Sequence, residues 1–256
     1  MEHLKPRIVA VCGKGGVGKT SLSALIVRQL MREGGTILAV DADPAVGFAT
    51  ALGIDPGRTI NDIRNDVIRE AKQGDLLDRE STVLSLDYSV FEAMSECTGY
   101  AFLAIGRPET EGCYCRVNDY LRAVIEALSA KFDYVVIDGE AGIEQINRRV
   151  MESVTHLLLV SDASRKGINV IQTIKRVADG GAMGYDRAGV ILNRLRDAEE
   201  AQRVDIGELE LLAPVVEDDA VRDYDIDERS LLGLPDDETT RSLCRALVRF
   251  GIIEGA

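Results

Sequence analysis

Two short stretches of the sequence combine residue types and spacing that suit chemistry. Residues 13–21 read GKGGVGKTS, which matches the G-x-x-x-x-G-K-[ST] spacing of a phosphate-binding loop. Residues 113–115 read CYC and place two of the five cysteines of the chain one residue apart. The first stretch predicts binding of a nucleoside triphosphate, and the second raises the question of a thiolate metal site.

Each part of the glycine-rich loop suits the binding of a charged group of Mg²⁺–nucleotide. Glycines let the backbone curl so that successive N–H groups point at phosphate oxygens. Lys19 supplies positive charge to the β- and γ-phosphates, and the hydroxyl of Thr20 can hold Mg²⁺. The predicted nucleotide-binding residues of the loop are Gly13, Gly15, Gly16, Val17, Gly18, Lys19, Thr20 and Ser21.

The cysteine pair supplies only two of the four ligands that a tetrahedral metal site needs. In an extended segment, residues i and i+2 project to the same side, so Cys113 and Cys115 could aim both sulfurs at one ion. A twofold dimer would present the pair twice and complete four thiolates around one centre. Thiolates accept zinc, nickel and Fe–S clusters alike, and two idle thiols are the alternative. Cys97 could be an accessory ligand, but a packed or idle thiol is the favoured interpretation.

Composition disfavours nucleic acid and membranes as partners. The chain has 30 Lys and Arg residues against 43 Asp and Glu, a net charge of -13, and such a field repels nucleic acid and anionic membranes. The amino-terminal stretch lacks the pattern of a secretory signal, and no long apolar run suits a membrane span. An odd number of scattered cysteines favours reduced thiols. We therefore expect a cytoplasmic protein.

Apolar runs rich in β-branched residues alternate with segments of helical period along most of the chain. The predicted strands are residues 7–12, 36–40, 134–137, 156–160 and 189–192, with a last strand in 209–216. The predicted helices are residues 19–32, 61–73, 117–130, 144–153, 168–178 and 240–250. Residues 75–112 have no assignable type. The alternation predicts an α/β fold, a predominantly parallel sheet flanked by helices, in one domain over residues 1–256.

A second lysine in the loop, Lys14, directly follows its first glycine. A loop written K-G-G-x-x-G-K-T resembles the deviant Walker A motif of the MinD, ParA and nitrogenase-iron-protein superfamily of dimeric ATPases. The resemblance implies that Lys14 reaches the partner subunit's nucleotide and, with Lys19, neutralises charge on the transferred phosphoryl group. It also implies a homodimer that forms on binding of ATP, metal or both.

Polar residues at three strand ends fall where the same resemblance expects them. VDADP resembles the first switch, which implies that Asp43 orients the attacking water and that Asp41 lies near Mg²⁺. YVVIDGEAG resembles the Walker B strand and the second switch, so Asp138 would hold Mg²⁺ directly or through water, and Gly142 would be a mobile glycine. Asn193 in VILNR resembles the adenine-reading asparagine of the superfamily.

The resemblance narrows at the cysteine pair. GCYCRVN upstream of a helix, together with DGEAGIEQINR, resembles the CooC-type ATPases that help load nickel into carbon monoxide dehydrogenase, and their relative serving acetyl-CoA synthase. It extends over almost the whole chain but departs at Gln145, where that family usually has His, so the client stays open. It implies an ATP-hydrolysing dimer that shares Ni²⁺ or Zn²⁺ between the cysteine pairs and serves one of those apo-enzymes.

Two other functions stay open at this point. An ATP-gated electron-transfer protein would hold a [4Fe–4S] cluster on the same four cysteines, although the nitrogenase-type donors space their ligands far apart along the chain. A positioning or partition ATPase would act on a membrane or on DNA. For that function, Arg241, Arg245 and Arg249 would line one face of a surface-binding last helix, although a docked helix is more common and the net charge opposes it.

Overall fold

The computed structural model of the chain describes residues 5–73, 88–107, 115–139, 142–143, 146–147 and 150–255. Within these ranges, eight strands form one sheet in the order β3-β4-β2-β5-β1-β6-β7-β8. The strands are β1 (Arg7–Gly13), β2 (Ile37–Asp41), β3 (Ser95–Cys97), β4 (Tyr100–Ala104), β5 (Tyr134–Asp138), β6 (Ser153–Ser161), β7 (Gly184–Leu195) and β8 (Glu210–Val216). Every pairing is parallel except that of the edge strand β3 with β4.

Helices cover both faces of the sheet. They are α1 (Lys19–Glu33), α2 (Gly47–Leu52), α3 (Ile60–Gln73), α4 (Cys115–Ser129), α5 (Arg165–Val177), α6 (Asp219–Ile226) and α7 (Glu238–Phe250). Residues 88–93 are also helical. Helices α3, α4 and α5 pack on one face, and α1, α2 and α7 pack on the other. The expected α/β architecture is therefore confirmed.

The central strands β1, β2 and β5 are buried on both faces along most of their length, as a parallel sheet covered by helices requires. In β1, Ala10 and Cys12 face one layer of helices while Val9 and Val11 face the other, and all four are fully buried. Continuous apolar runs with β-branched residues suit this environment because no side of the strand meets water. The same runs made these strands recognisable in the sequence.

Two sequence predictions need correction. Residues 75–112 had no assigned type, yet they contain β3 and β4, two short strands of which β4 is buried throughout. The helix predicted over 144–153 is wrong at its end, because Ser153 begins β6 and pairs with Gly184 of β7. Ile146, Val150 and Met151 are buried with a spacing close to helical, which explains the error.

The sheet brings the predicted polar residues to one edge. Strands β1, β2 and β5 to β7 are parallel, so their carboxyl ends meet at the same side. In the sheet, β2 lies on one side of β1, and β6 and β7 lie on the other, so the chain after β1 and the chain after β6 leave the sheet in opposite directions. This reversal opens a crevice at the carboxyl end of β1. Among the described helices, none combines the length and apolar character that a membrane span requires.

Candidate nucleotide-binding site

The loop between β1 and α1 depends on glycine at defined positions. A Cβ at Gly13 would overlap the carbonyl oxygen of Val160 on β6, which pairs with Gly13 in register. Gly16 and Gly18 have φ angles of 80° and 87°, a left-handed region that glycine enters without steric cost. The loop opens directly into α1, whose first backbone N–H groups have no partner inside the helix and suit a phosphate.

The two lysines of the loop occupy different environments. Lys19 is only 8% exposed, and its Nζ lies 3.4 Å from the carbonyl oxygen of Lys14. The Nζ of Lys14 donates to Oδ2 of Asp162, 3.0 Å away, at the carboxyl end of β6. Partial burial acts to raise the pKa of Asp162, but hydrogen bonds from Ser164 and Lys14 hold it below its ordinary value. In the isolated chain Lys14 is therefore paired within its own subunit.

Asp138 ends β5 beneath the loop and is held by two hydroxyl groups. Thr20 Oγ1 donates to Asp138 Oδ2 over 2.7 Å, and Ser23 Oγ donates to Oδ1 over 2.8 Å. Burial raises the pKa of Asp138 to about 6 against the lowering effect of these hydrogen bonds and of Lys19. Thr20 and Asp138 thus present hard oxygen donors side by side, the ligand type that Mg²⁺ prefers.

Asp41 ends the neighbouring strand β2 and lies opposite Asp138 in the register of the sheet. It is fully buried and accepts hydrogen bonds from the backbone N–H groups of Asp43 and Phe48 at 3.1 Å and 2.9 Å. Burial, and secondly the charge of Asp138, raises the pKa of Asp41 to about 7. Two adjacent buried carboxylates with raised pKa values fit a bound cation, which would favour their charged forms.

Asp43 lies at the start of the segment that follows β2. Its Oδ1 accepts a hydrogen bond from the backbone N–H of Ala45 over 2.9 Å, and its side chain is half-buried. Val46, three residues later, has a φ of 53°, a strained conformation for a β-branched residue. This segment is therefore held at the carboxyl edge of the sheet next to Asp41.

Asn193 on β7 joins the loop to a neighbouring cavity. Its Nδ2 donates to the carbonyl oxygen of Val17 over 2.8 Å, which leaves the amide oxygen available as an acceptor. The cavity beside it has a volume of about 420 Å³, within the usual range for small-molecule sites. Residues from α1, β7 and α6 line it, among them Gly18, Leu22, Leu25, Asn193, Val221 and Arg222.

Three features of this site were missed in the sequence. Ser23, two residues beyond the predicted loop, donates a hydrogen bond to Asp138, and Asp162 pairs with Lys14. The outer wall of the cavity comes from α6, which lies in an acidic stretch with little hydrophobic periodicity. Asp162 did carry a signal, because it follows an apolar strand in the same way as Asp41 and Asp138.

The predicted thiolate site falls largely outside the described residues. Cys113 and Gln145 lie outside them, and of Cys115 the structure describes the backbone. Cys115 is the first residue of α4, so its backbone is helical and the assumed extended geometry does not hold there. Among the described residues, no group of three or more His, Cys, Asp or Glu could hold a metal ion. The half-buried Cys97 contacts its own strand, with Sγ 3.9 Å from the Ser95 carbonyl oxygen.

The last helix, α7, is docked on the sheet. Leu243, Leu247 and Phe250 are buried, and they occupy the face that a membrane-binding helix would need to expose. The predicted arginine face is engaged in ion pairs: Arg241 and Arg245 contact Glu238, and Arg249 contacts Glu210.

Comparisons with known proteins agree with this geometry. The profile of the CobQ/CobB/MinD/ParA nucleotide binding domain matches residues 8–231. An uncharacterized ATP-binding protein of Methanocaldococcus jannaschii is 33% identical over 236 residues, which are 90% of this chain and 92% of that protein. The carbon monoxide dehydrogenase accessory protein CooC of Rhodospirillum rubrum is 26% identical over 234 residues, 85% of this chain and 86% of that protein.

Solved structures share the fold. The septum site-determining protein MinD of Pyrococcus horikoshii, solved with Mg-ADP, superposes with a TM-score of 0.68 at 21% identity and covers 95% of both chains. A ParA family ATPase of Chlorobium tepidum gives a TM-score of 0.69 at 18% identity, covering 94% of this chain and 98% of that one.

Proposed function

Because this chain belongs to the CobQ/CobB/MinD/ParA nucleotide-binding family and is an ATPase, we propose that it is an ATP-dependent metallochaperone. In this proposal it dimerises, binds a metal through Cys113 and Cys115 of each subunit, and assists nickel insertion into carbon monoxide dehydrogenase or acetyl-CoA synthase. The supporting observation is the Cys-x-Cys pair of the sequence, whose second cysteine begins α4, in a chain 26% identical over 234 residues to a CooC protein.

We propose the following roles at the nucleotide site. The loop from Gly13 to Ser21 binds the phosphates, with Lys19 as the buried cation beneath them. Thr20, Asp138 and Asp41 would hold Mg²⁺, directly or through water, and this ion would neutralise charge on the β- and γ-phosphates. Asn193 reads the adenine through its free amide oxygen, because its amide nitrogen is engaged by Val17.

Hydrolysis needs a positioned water and a cation near the transferred phosphoryl group. Asp43 orients the water from the segment after β2. Lys14 supplies the cation from the partner subunit, so its ion pair with Asp162 must break when the dimer forms. Lys14 then has an anionic partner in both states, because Asp162 in the free subunit is replaced by a phosphate of the partner's nucleotide in the dimer.

Nickel is the cargo in this scheme and not a resident cofactor. Closure of the dimer around ATP brings the two cysteine pairs together, and hydrolysis relaxes the switch segments so that the metal passes to the apo-enzyme. Four thiolates suit Ni²⁺, Zn²⁺ and a [4Fe–4S] cluster alike, so the bound metal is decided by experiment. We also propose that the whole chain acts as one ATPase domain.

The test is a reconstitution of nickel transfer under anaerobic conditions. Purified protein with Ni²⁺ and ATP is added to apo-carbon monoxide dehydrogenase or apo-acetyl-CoA synthase, and client activity is followed. We expect activation to need ATP and to be lost in the double variant Cys113→Ala, Cys115→Ala, while Cys244→Ala activates normally. Activation by the double variant would overturn the proposal. Iron and sulfide bound to the cysteines in place of nickel would favour the electron-transfer alternative.

A further inference from the structure

Helix α4 is tied to the chain segment that follows the second switch by one arginine. Arg122 Nη1 donates to the carbonyl oxygen of Asn147 over 3.1 Å, and Nη2 lies 2.7 Å from Glu152 Oε1. The Arg122 side chain is only 19% exposed although it bears a full charge. Its guanidinium therefore bridges two points of a segment that leads from Asp138 to β6.

A second contact one turn along α4 repeats the attachment. Glu126 Oε1 accepts the backbone N–H of Glu152 over 2.7 Å. Between these two polar residues, Ile125 of α4 is fully buried in the same core cluster as Ile146 and Val150 of the segment. Polar and apolar contacts together fasten α4 to residues 146–147 and 150–152.

The other end of this segment touches the nucleotide site. Gly139 follows Asp138 directly, and its N–H donates to the Val11 carbonyl oxygen over 3.0 Å. The Cδ1 atom of Ile146 lies 2.9 Å from the position that a Cβ on Gly139 would occupy. Ile146 therefore packs against Gly139, and because packed interiors leave little spare room, a shift of the Gly139 backbone toward Ile146 would press on that side chain. Ile146, which packs against Gly139, is therefore followed directly by Asn147, whose carbonyl oxygen accepts a hydrogen bond from Arg122.

We infer that Arg122 is a positioning residue that makes α4 follow the nucleotide state of the second switch, and so carries that state to Cys115 at the start of α4. The inference rests on the proposed function in one respect only, which is that Cys115 binds a metal. The coupling itself needs the ATPase, the segment from 138 to 152 and α4. A helix is stiff along its axis, so movement imposed at Arg122 reaches the first turn of α4.

The coupling can be measured without any metal. Chelator-treated protein is exposed to iodoacetamide with no nucleotide or with Mg²⁺ and a non-hydrolysable ATP analogue, and the peptide that carries Cys113 and Cys115 is quantified by mass spectrometry. Dimer formation could itself protect the cysteines from iodoacetamide. Sedimentation is therefore used to choose protein concentrations at which every sample contains the same fraction of dimer. We expect the analogue to change the alkylation rate of wild type by about fivefold or more, the lower end of usual couplings between sites.

Arg122→Ala should reduce that ratio to near one while the variant still binds the analogue, because Arg122 lies outside the loop from Gly13 to Ser21. Since coupling is reciprocal, its loss should change the affinity for the analogue by no more than about the same factor. Arg122→Lys, which keeps a cation for Glu152, should restore part of the ratio. The matched control is Arg69→Ala, which removes an arginine paired with Asp66 on α3 and should behave as wild type.

Three results would overturn the inference. They are an alkylation rate in wild type that does not respond to the analogue, an unchanged ratio in Arg122→Ala, and an equal loss of the ratio in Arg69→Ala. If Arg122→Ala fails to fold, Arg122→Lys against wild type decides by itself. Failure of nickel transfer with a normal alkylation response would reject the proposed function and leave the coupling standing.

Discussion

Lys14 and Asp162 form an ion pair inside one subunit, with Nζ and Oδ2 3.0 Å apart. The two residues are joined across the strands β1 and β6, which pair in the centre of the sheet. If Lys14 acts on the partner's nucleotide, Asp162 competes with that nucleotide for the same cation. The ion pair then opposes formation of the ATP-bound dimer.

Asp162→Asn should therefore favour the ATP-bound dimer. The amide keeps an acceptor for Ser164 but removes the charge that holds Lys14. A partly exposed ion pair contributes about 0.2–1 kcal/mol. Two such pairs break for each dimer that forms, so the dissociation constant of the dimer should fall by up to about thirtyfold. Sedimentation with a non-hydrolysable ATP analogue measures it, with Asp179→Asn, which removes a pair with Lys175, as the control. A weaker dimer in Asp162→Asn would contradict the competition.

The hydroxyl of Ser23 should matter for stability although it lies beyond the loop motif. Ser23→Ala leaves one oxygen of the buried Asp138 without its donor. An unsatisfied buried acceptor costs about 1–3 kcal/mol, so the free energy of unfolding should drop by that amount. Urea denaturation measures the change, and Ser95→Ala, at a half-buried edge position, is the control. Equal stability of Ser23→Ala and wild type would show that Asp138 finds another donor.

The adjacent carboxylates predict how stability depends on pH. In the folded chain the pKa of Asp41 is raised to about 7 and that of Asp138 to about 6, mainly by burial, against about 3.9 for an unfolded aspartate. Between those values the folded state binds more protons than the unfolded state, so without Mg²⁺ and nucleotide stability should fall as pH rises from about 4 to 7.

Asp41→Asn removes one of these titrations. Its stability relative to wild type should be higher at pH 8 than at pH 4.5, because only at the higher pH does wild type bury the charge. Urea denaturation in chelator at both pH values measures the difference. A relative stability that is the same at both pH values would show that Asp41 does not titrate in this range.

The amide of Asn193 should affect nucleotide affinity more than turnover. Asn193→Ala removes a hydrogen bond to Val17 and the proposed acceptor for the adenine amino group. At about 0.5–1.5 kcal/mol for each hydrogen bond, KM for ATP should rise by about tenfold with kcat little changed, and the preference for ATP over GTP should shrink. Asn169→Ala, at an exposed position of α5, is the control. A large loss of kcat with constant KM would place Asn193 in catalysis.

Much of the fold was predictable because its signals are local. The central strands are continuous apolar runs, and the loop spacing predicts a phosphate site that includes Gly13 and Lys19. The edge strand β3 has three residues, too few to establish a period, and β4, with the sequence YAFLA, has none of the β-branched residues that marked the other strands. Such strands are recognised only once they pair.

The parts of the site that were missed arise from long-range packing. Ser23 and Asp138 are 115 residues apart, and Lys14 and Asp162 are 148 apart, so no local pattern joins them. The α6 wall of the cavity has no buried residue and hence no hydrophobic stripe to reveal it. In the sequence, Arg122 resembles any surface arginine of an amphipathic helix, and only its contacts with the segment from 146 to 152 distinguish it.

The most direct test of the central claim is native mass spectrometry of the protein after anaerobic loading with Ni²⁺ and a non-hydrolysable ATP analogue. The account predicts a dimer that carries two nucleotides and one nickel ion, and loss of the nickel in the double variant Cys113→Ala, Cys115→Ala with the nucleotides retained. A nucleotide-loaded monomer, or one nickel ion in every subunit, would contradict it.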